Sequence, residues 1–488
     1  MLADADVQTL RAALTKAEFT VDAVFALLGA EAHRALGRNQ TVPAVRATSG
    51  TGPLATLVRL FTLQVPVSRA RAEEALTGAV GALLDAGILE ASGDEVRALT
   101  DIRPYGDEDH DWWVVCDPTP GLDGRQAPMD PAHVLGISEA SSSLAQLTVR
   151  APVGRALDLG TGCGVQALHL AQHAAEVVAT DVNARALDMA RLTAAMNGVD
   201  IDVRDGSLFD PVAGETFDLI TTNPPFVISP PGSEKLVYRD SGMPGDSVVR
   251  HLVENAESHL NEGGWCQILA NWAHHDGLDW QGELEQWFDG RGLDAWVLQR
   301  ELVDPAAYVE MWLADAGLAT APDYVRRYDA WLDWFAGERI DGIGFGWLSM
   351  RRTKQAPVRL FEEWTGEIAP PIGPAVAAWG LRADLLRGLD DRAVLDLAFQ
   401  QAPDLVEETR GPVGAEHPST IVLRLQQGVR RSRQVDTVEA GLVSASEGDL
   451  GAGQILDALA SLLNRDASDL RRDYVGSVRS LVADGFLA

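Results

Sequence analysis

Arg155-Ala156-Leu157-Asp158-Leu159-Gly160-Thr161-Gly162-Cys163-Gly164 sets the fold of this chain: a short apolar strand runs into three glycines at alternating positions. Glycine lets the backbone turn this sharply and lets a ligand lie directly against it. A helical pattern from Gln166 to Ala174 follows, then a strand at Glu176 to Thr180 and a second helix at Ala184 to Asn197. Further strands are expected at Ile201-Asp202-Val203, Phe217 to Thr222 and Trp265 to Ala270. Strands separated by helices predict βαβ units and an α/β fold with a doubly wound, mostly parallel sheet. Ala295 to Gln299 and Gly342 to Met350 are expected to add an antiparallel end to it.

A dinucleotide fingerprint needs its third glycine at position 165, which is Val165, so a pyrophosphate ligand is disfavoured. The second strand ends about 20 residues on, at Asp181, where a carboxylate meets the two hydroxyls of a ribose. After the third strand, Asp205 sets another carboxylate near the place of an adenine amino group. A glycine loop alone is weak, since tight strand-to-helix turns take glycine for structural reasons. Two acids in the right order make a nucleoside site the better reading. With these residues the segment resembles the nucleoside-binding half of class I methyltransferases. The resemblance implies S-adenosyl-L-methionine as cofactor and a Rossmann-like seven-stranded sheet. It implies that Asp158, Gly160, Thr161, Gly162 and Gly164 hold the methionine part, Asp181 the ribose and Asp205 the adenine.

The most specific signal is Thr222-Asn223-Pro224-Pro225-Phe226, at the carboxyl end of the fourth strand, where open α/β sheets bind ligands. Two prolines can simply terminate a strand. That explains neither the Asn before them nor the aromatic after them. In an amide or aromatic amine the nitrogen lone pair is delocalised and a poor nucleophile. A site helps by accepting both N–H hydrogens, so that the lone pair faces the methyl. The Asn223 side-chain oxygen and the Pro224 carbonyl suit that work, and the prolines hold both in position before binding. Phe226 offers a flat face for stacking. This pattern resembles the N-methyltransferases of the small methyltransferase domain type, over about residues 130–275. Among these are ribosomal-RNA guanine-N2 and release-factor glutamine methyltransferases. The resemblance implies catalysis by Asn223, Pro224, Pro225 and Phe226, with Asn223 also lining the cofactor. Tyr238 to Asp246 is similar to a Gly-x-x-Gly turn of the glutamine enzymes. His133 to Ser138, with Ser141 to Ser143, stands where relatives fold a segment over the cofactor.

Beyond this centre, 488 residues are too many for one core, and about two to four domains are expected. No run reaches the ~18 apolar residues of a membrane span. Met1 to Asp6 lacks a signal-peptide layout. Cys116, Cys163 and Cys266 are scattered, without metal-ligand spacing, so a cytoplasmic protein without a metal site is expected. Residues 5–100 read as helices closing on a strand pair, with Ser68 as an N-cap, Gly87 as a helix stop and a wing around Val96, Leu99 and Ile102. Leu84-Asp85-Ala86-Gly87-Ile88-Leu89 aligns without a gap to Val482-Ala483-Asp484-Gly485-Phe486-Leu487. Both ends are therefore expected to be mainly helical and winged-helix-like. The expected domains are 1–103, the catalytic 104–356, a linker at 357–376 around a proline-rich stretch, and 377–488.

The net charge of -31, with Lys16, Lys235 and Lys354 the only lysines, opposes an extended nucleic-acid interface and leaves room for a local one. Leu83 to Leu89 and Leu481 to Leu487 are apolar or acidic where a DNA-reading helix is basic, so no duplex DNA binding is expected. Three functions stay open: methylation of an exocyclic base amine in RNA, methylation of a protein glutamine, or a cofactor-binding adaptor without activity. The intact Asn223 to Phe226 motif argues against the adaptor. Acidity favours a protein acceptor, and the flanking modules favour RNA, to which the balance falls. Oligomeric state stays open. His274-His275-Asp276 fits a surface turn, Arg430-Arg431-Ser432-Arg433 a solvated strand end, and Trp331-Leu332-Asp333-Trp334-Phe335 helix packing.

Overall fold

Five of the expected strands, Val153–Leu159 (β1), Ala174–Asp181 (β2), Asp202–Asp205 (β3), Phe217–Thr222 (β4) and Leu260–His275 (β5), pair in parallel. The computed structural model describes residues 2–50, 52–107, 109–124, 130, 132–231, 243–413 and 418–488. Helix Val165–Leu170 (α1) follows the glycine loop, and Ala184–Asn197 (α2) follows β2. Asn183 caps α2 by accepting from the Arg185 N–H, and Gly198 ends it in the left-handed region at φ 68°.

Leu293–Val303 (β6) and Ile340–Arg352 (β7) complete the expected set. β7 runs antiparallel to β5, in register from Trp265↔Arg351 to His274↔Gly342. It is not the last strand. The order is β8-β6-β7-β5-β4-β1-β2-β3, where β8 is Arg359–Glu363. The sheet thus has eight strands where seven were expected, and the eighth arises inside the stretch expected as linker, 357–376. Asp294 explains the addition: its carboxylate is fully buried and accepts from the Val358 N–H at 2.8 Å and from Arg387 at 2.6 Å. A buried carboxylate demands such partners, and they order the chain around it.

The chain divides into two compact units, one of Met1–Ala145, Ala151–Leu293 and Val297–Gln355, the other of Gln146–Arg150, Asp294–Trp296 and Ala356–Ala488. In the first, Val67–Ser68, Glu95–Ala98 and Leu89–Ser92 form a small three-stranded sheet, with helices Arg69–Ala75 and Val80–Asp85 between its strands in the chain. Ile102 lies outside that sheet, in a hairpin of Asp101–Gly106 with Asp111–Cys116. The boundary expected at 103 falls within this hairpin. Leu10, Phe61, Ile102 and Val115 share one buried cluster with Cys163, Leu168 and Met189 around the glycine loop's helices, so the core is continuous there.

The second unit carries strands beside its helices. Leu405–Arg410, Thr420–Leu425 and Ser432–Val435 make an antiparallel sheet before helices Thr437–Ser444, Ala452–Leu463 and Ala467–Ala483. Gly485, at φ 87°, stops the last helix as Gly87 does at φ 70°, and Phe486 and Leu487 are fully buried. Leu487 bridges to Gln401, just after the strand Ala398–Gln400 that pairs with Glu447–Gly451. Arg430, Arg431 and Arg433 each meet a carboxylate, of Glu367, Glu362 and Glu439. Among the described residues no helix is long and apolar enough to cross a membrane.

Candidate active site

Gly160, Gly162 and Gly164 all take left-handed φ, at 75°, 54° and 85°. Their roles differ. A Cβ on Gly164 would lie 3.1 Å from Ala190 Cα, so this glycine lets α1 pack on α2. Nothing lies within 4 Å of a Cβ at Gly160 or Gly162, which leaves bare backbone open to a ligand. The loop is anchored by two N–H groups, of Gly160 and Thr161, that donate to the Thr180 carbonyl at 2.9 Å each. Asp158, 2% exposed, accepts on one oxygen from the Thr161 hydroxyl at 2.6 Å and the Ala167 N–H at 3.0 Å. Asp158 and Thr161 therefore brace the loop from within. Burial pushes the Asp158 carboxyl up to about 7.

Asp181 holds the same loop from the second strand. Its two oxygens accept from the Gly162 N–H and the Asn183 N–H, at 2.9 Å each. Each oxygen keeps a lone pair for a further donor. Burial raises the Asp181 pKa, and Asp205 adds to the shift. Asp205 is exposed and pairs with Asp181 in the β2–β3 register, so the two carboxylates end neighbouring strands.

At the end of β4 the Thr222 hydroxyl donates to the Leu159 carbonyl at 2.7 Å, which ties the reaction loop to the glycine loop. The Asn223 Oδ1 is buried and has no hydrogen-bond partner among the described residues. An orphaned acceptor costs ~1–3 kcal/mol, and this one lies at the carboxyl edge of the sheet, where a donor from a bound ligand can satisfy it. Pro224 is buried. Phe226 is half-buried and meets Trp312 edge-on, with ring centroids 6.4 Å apart at 68°.

Sequence reasoning missed the support of this loop. Tyr308 and Trp312 lie one turn apart on helix Pro305–Asp315 (α3). The Tyr308 hydroxyl accepts from the Ile228 N–H and from Asn271 Nδ2, both at 2.8 Å, and all three residues are fully buried. The i, i+4 aromatic spacing after an Asp304-Pro305 cap was the available signal. Tyr308→Phe keeps the ring against Trp331 and Phe335 and strips two buried donors of their acceptor. It is expected to cost ~1–3 kcal/mol, read from the urea midpoint. Amide exchange should quicken across 226–229 more than in β5; equal exchange in both would contradict this role.

The segment upstream of β1 is tied down beside the loop. Asn183 Nδ2 donates to the Ala132 carbonyl at 2.9 Å, and Gln166 Nε2 to that of Ser141 at 2.6 Å. The Val134 N–H donates to Asp117 at 2.8 Å, and Arg185 pairs with that carboxylate. Of the turn from Tyr238 to Asp246, residues 238–242 lie outside the described residues. Asp246 accepts from the Ala273 N–H at 3.2 Å. His274 meets Gln299 at 2.7 Å and His275 meets Glu283 at 3.2 Å, so the two imidazoles face different partners.

A family model described as "Methyltransferase small domain" matches residues 136–289, and one described as "Domain of unknown function (DUF7059)" matches residues 16–99. Ribosomal RNA small subunit methyltransferase C of Salmonella arizonae is 32% identical over 179 residues, 36% of this chain and 46% of the relative. Release factor glutamine methyltransferase of Xylella fastidiosa is 36% identical over 134 residues, 24% of this chain and 47% of the relative. The chain thus spans about half the length of these curated relatives. A solved structure of the T. thermophilus 16S rRNA N2 G1207 methyltransferase, in complex with AdoMet and guanosine, aligns over 47% of this chain and 60% of its own. Its identity is 18% and its TM-score 0.28. The glycine loop, the strand-end carboxylates and Asn223-Pro224-Pro225-Phe226 all lie within the segment 136–289 that matches the methyltransferase small domain model.

Proposed function

We propose that this chain is an S-adenosylmethionine-dependent N-methyltransferase whose acceptor is a planar nitrogen, an exocyclic base amine of RNA. The orphaned Asn223 Oδ1 carries the reading: it is a buried acceptor waiting at the carboxyl edge of the sheet. S-adenosylmethionine supplies, when bound, a methyl activated on a positively charged sulfonium. Bare backbone at Gly160 and Gly162 suits its amino-acid end, and Asp181 and Asp205 suit its ribose and adenine. Asn223 accepts one N–H of the acceptor amine and the Pro224 carbonyl the other, while Phe226 stacks on the base. No strong base is needed on the chain, because the N–H becomes acidic as nitrogen commits its lone pair. An inactive adaptor has no use for the unpaired Asn223 oxygen.

A second reading, methylation of a protein glutamine, draws on the 36% identity to a release factor glutamine methyltransferase and on the net charge of -31. Either acceptor is met in the cytoplasm. Transfer of tritium from labelled cofactor into a cell extract decides between them. Ribonuclease treatment should abolish incorporation under the RNA reading. Label that survives ribonuclease and is lost to protease would replace RNA by protein.

A further inference from the structure

In a chain with 71 acidic residues among 488, the stretch from Ala32 to Ala72 has none, yet it carries Arg34, Arg38, Arg46, Arg59, Arg69 and Arg71. Elsewhere arginines are largely neutralised: Arg155 by Glu176 and Glu215, Arg204 by Asp202 and Glu215, Arg433 by Glu439. Within the stretch only Arg69 has a carboxylate among the described residues, Glu73 at 3.6 Å. The other five guanidiniums have none. Arg34, Arg38 and Arg46 are exposed, and Arg59 and Arg71 half-exposed.

Arg59 reaches the Val45 carbonyl at 3.2 Å and the Thr48 hydroxyl at 3.5 Å, and Arg71 reaches the Gly50 carbonyl at 2.6 Å. Both therefore converge on the segment that carries Arg46. Arg38 lies back on the Arg34 carbonyl at 3.0 Å. The Asp123 carboxylate is close in space but engaged by Thr41, through its N–H at 2.7 Å and its hydroxyl at 2.5 Å. The exposed Phe25 meets His33, the residue before Arg34 in the chain, edge-on at 5.1 Å. An unpaired arginine cluster with an exposed aromatic is the chemistry that grips phosphates and stacks an unpaired base.

We propose that this N-terminal face binds the phosphate backbone of an RNA, as the docking surface for the acceptor. The inference rests on the RNA reading of the active site, which belongs to the same compact unit. RNA fits better than duplex DNA, because helix Val80–Asp85 has no basic or polar row with which to read a major groove. The local excess of arginine works against the global charge of -31, so binding is confined to this face and falls steeply with salt.

The test uses the full-length chain and a fluorescent ribosomal-RNA helix-and-loop fragment, with anisotropy read at several salt concentrations. Arg38→Gln with Arg46→Gln removes two exposed charges that no carboxylate among the described residues holds. Affinity should fall about 10-fold and the slope of log K against log salt should flatten by about 1 per arginine. Melting temperature and cofactor affinity should not move. Arg472→Gln, which removes an exposed arginine paired with Asp469, should leave RNA binding unchanged. Unaltered affinity and slope in the double variant would overturn the proposal. So would equal binding of duplex DNA, or displacement of the RNA by polyglutamate of equal charge. Methyl transfer into RNA by a chain indifferent to these arginines would sink the docking face and leave the reaction standing. Arginine-dependent RNA binding without methyl transfer would do the reverse.

Discussion

Asn223→Ala is expected to lower kcat by about 30- to 200-fold, equivalent to ~2–3 kcal/mol in the barrier, while melting temperature and cofactor affinity stay near those of the parent. The asymmetry follows from the side chain's position. Its Oδ1 has no hydrogen-bond partner among the described residues, so removing that oxygen breaks no bond to them. The backbone is held independently, by Pro224 and Pro225, by the Thr222 bond to Leu159 and by the Ile228 bond to Tyr308. The lost interaction is then one made with the acceptor amine. Asn223→Asp keeps an acceptor oxygen and the shape, and should retain more activity than the alanine variant. Phe226→Ala should raise KM and lower kcat together, since it removes the stacking face, whereas Phe226→Tyr should be mild. Full turnover by Asn223→Ala, or its unfolding, would make the motif structural and the nitrogen chemistry wrong.

Local signals carried the left half of the sheet well. Phe217–Thr222 and Ala184–Asn197 have the expected bounds, because each is closed by strong punctuation, Asn-Pro-Pro in one case and Asn183 with Gly198 in the other. β5 was expected to end at Ala270 and runs on to His275. Its continuation holds Asn271 and Trp272, polar or bulky residues tolerated because both are fully buried and bonded to Tyr308 and Gln299. Nothing local announces such partners. For the same reason the Tyr308 brace of the reaction loop, 80 positions from Ile228, left no motif. β8 was hidden by its own composition: Arg359 to Glu363 alternates weakly, and its order depends on Asp294. At the site, spacing alone placed the glycines, Asp181, Asp205 and Asn223 at one edge of the sheet. It did not separate Gly160 and Gly162, which expose backbone, from Gly164, which packs two helices. Nor did the charge total reveal that Arg34, Arg38, Arg46, Arg59 and Arg71 have no carboxylate partner among the described residues, since pairing is a property of the fold.

Asp181→Ala is expected to weaken cofactor binding by ~3 kcal/mol, on the order of 100-fold in Kd by calorimetry. Two losses combine. The carboxylate no longer meets the ribose hydroxyls, and the Gly162 N–H loses the acceptor that fixes the bare backbone of the loop. Asp181→Asn separates them, since its one acceptor oxygen can serve a backbone N–H but not both N–H groups and a ribose. Its defect should be smaller. The pH dependence gives a further check. The ionised form accepts the hydrogen bonds, and burial raises the Asp181 pKa above the usual carboxylate range. Affinity in the parent should therefore be full at neutral pH and fall as pH drops through that raised pKa, earlier than an ordinary carboxylate would allow. In Asp181→Asn the decline should be shallower, because the titrating group is gone. Tight binding of NAD with none of S-adenosylmethionine would refute the assignment of this loop, and an acid profile identical in parent and Asn variant would move the titration to another group.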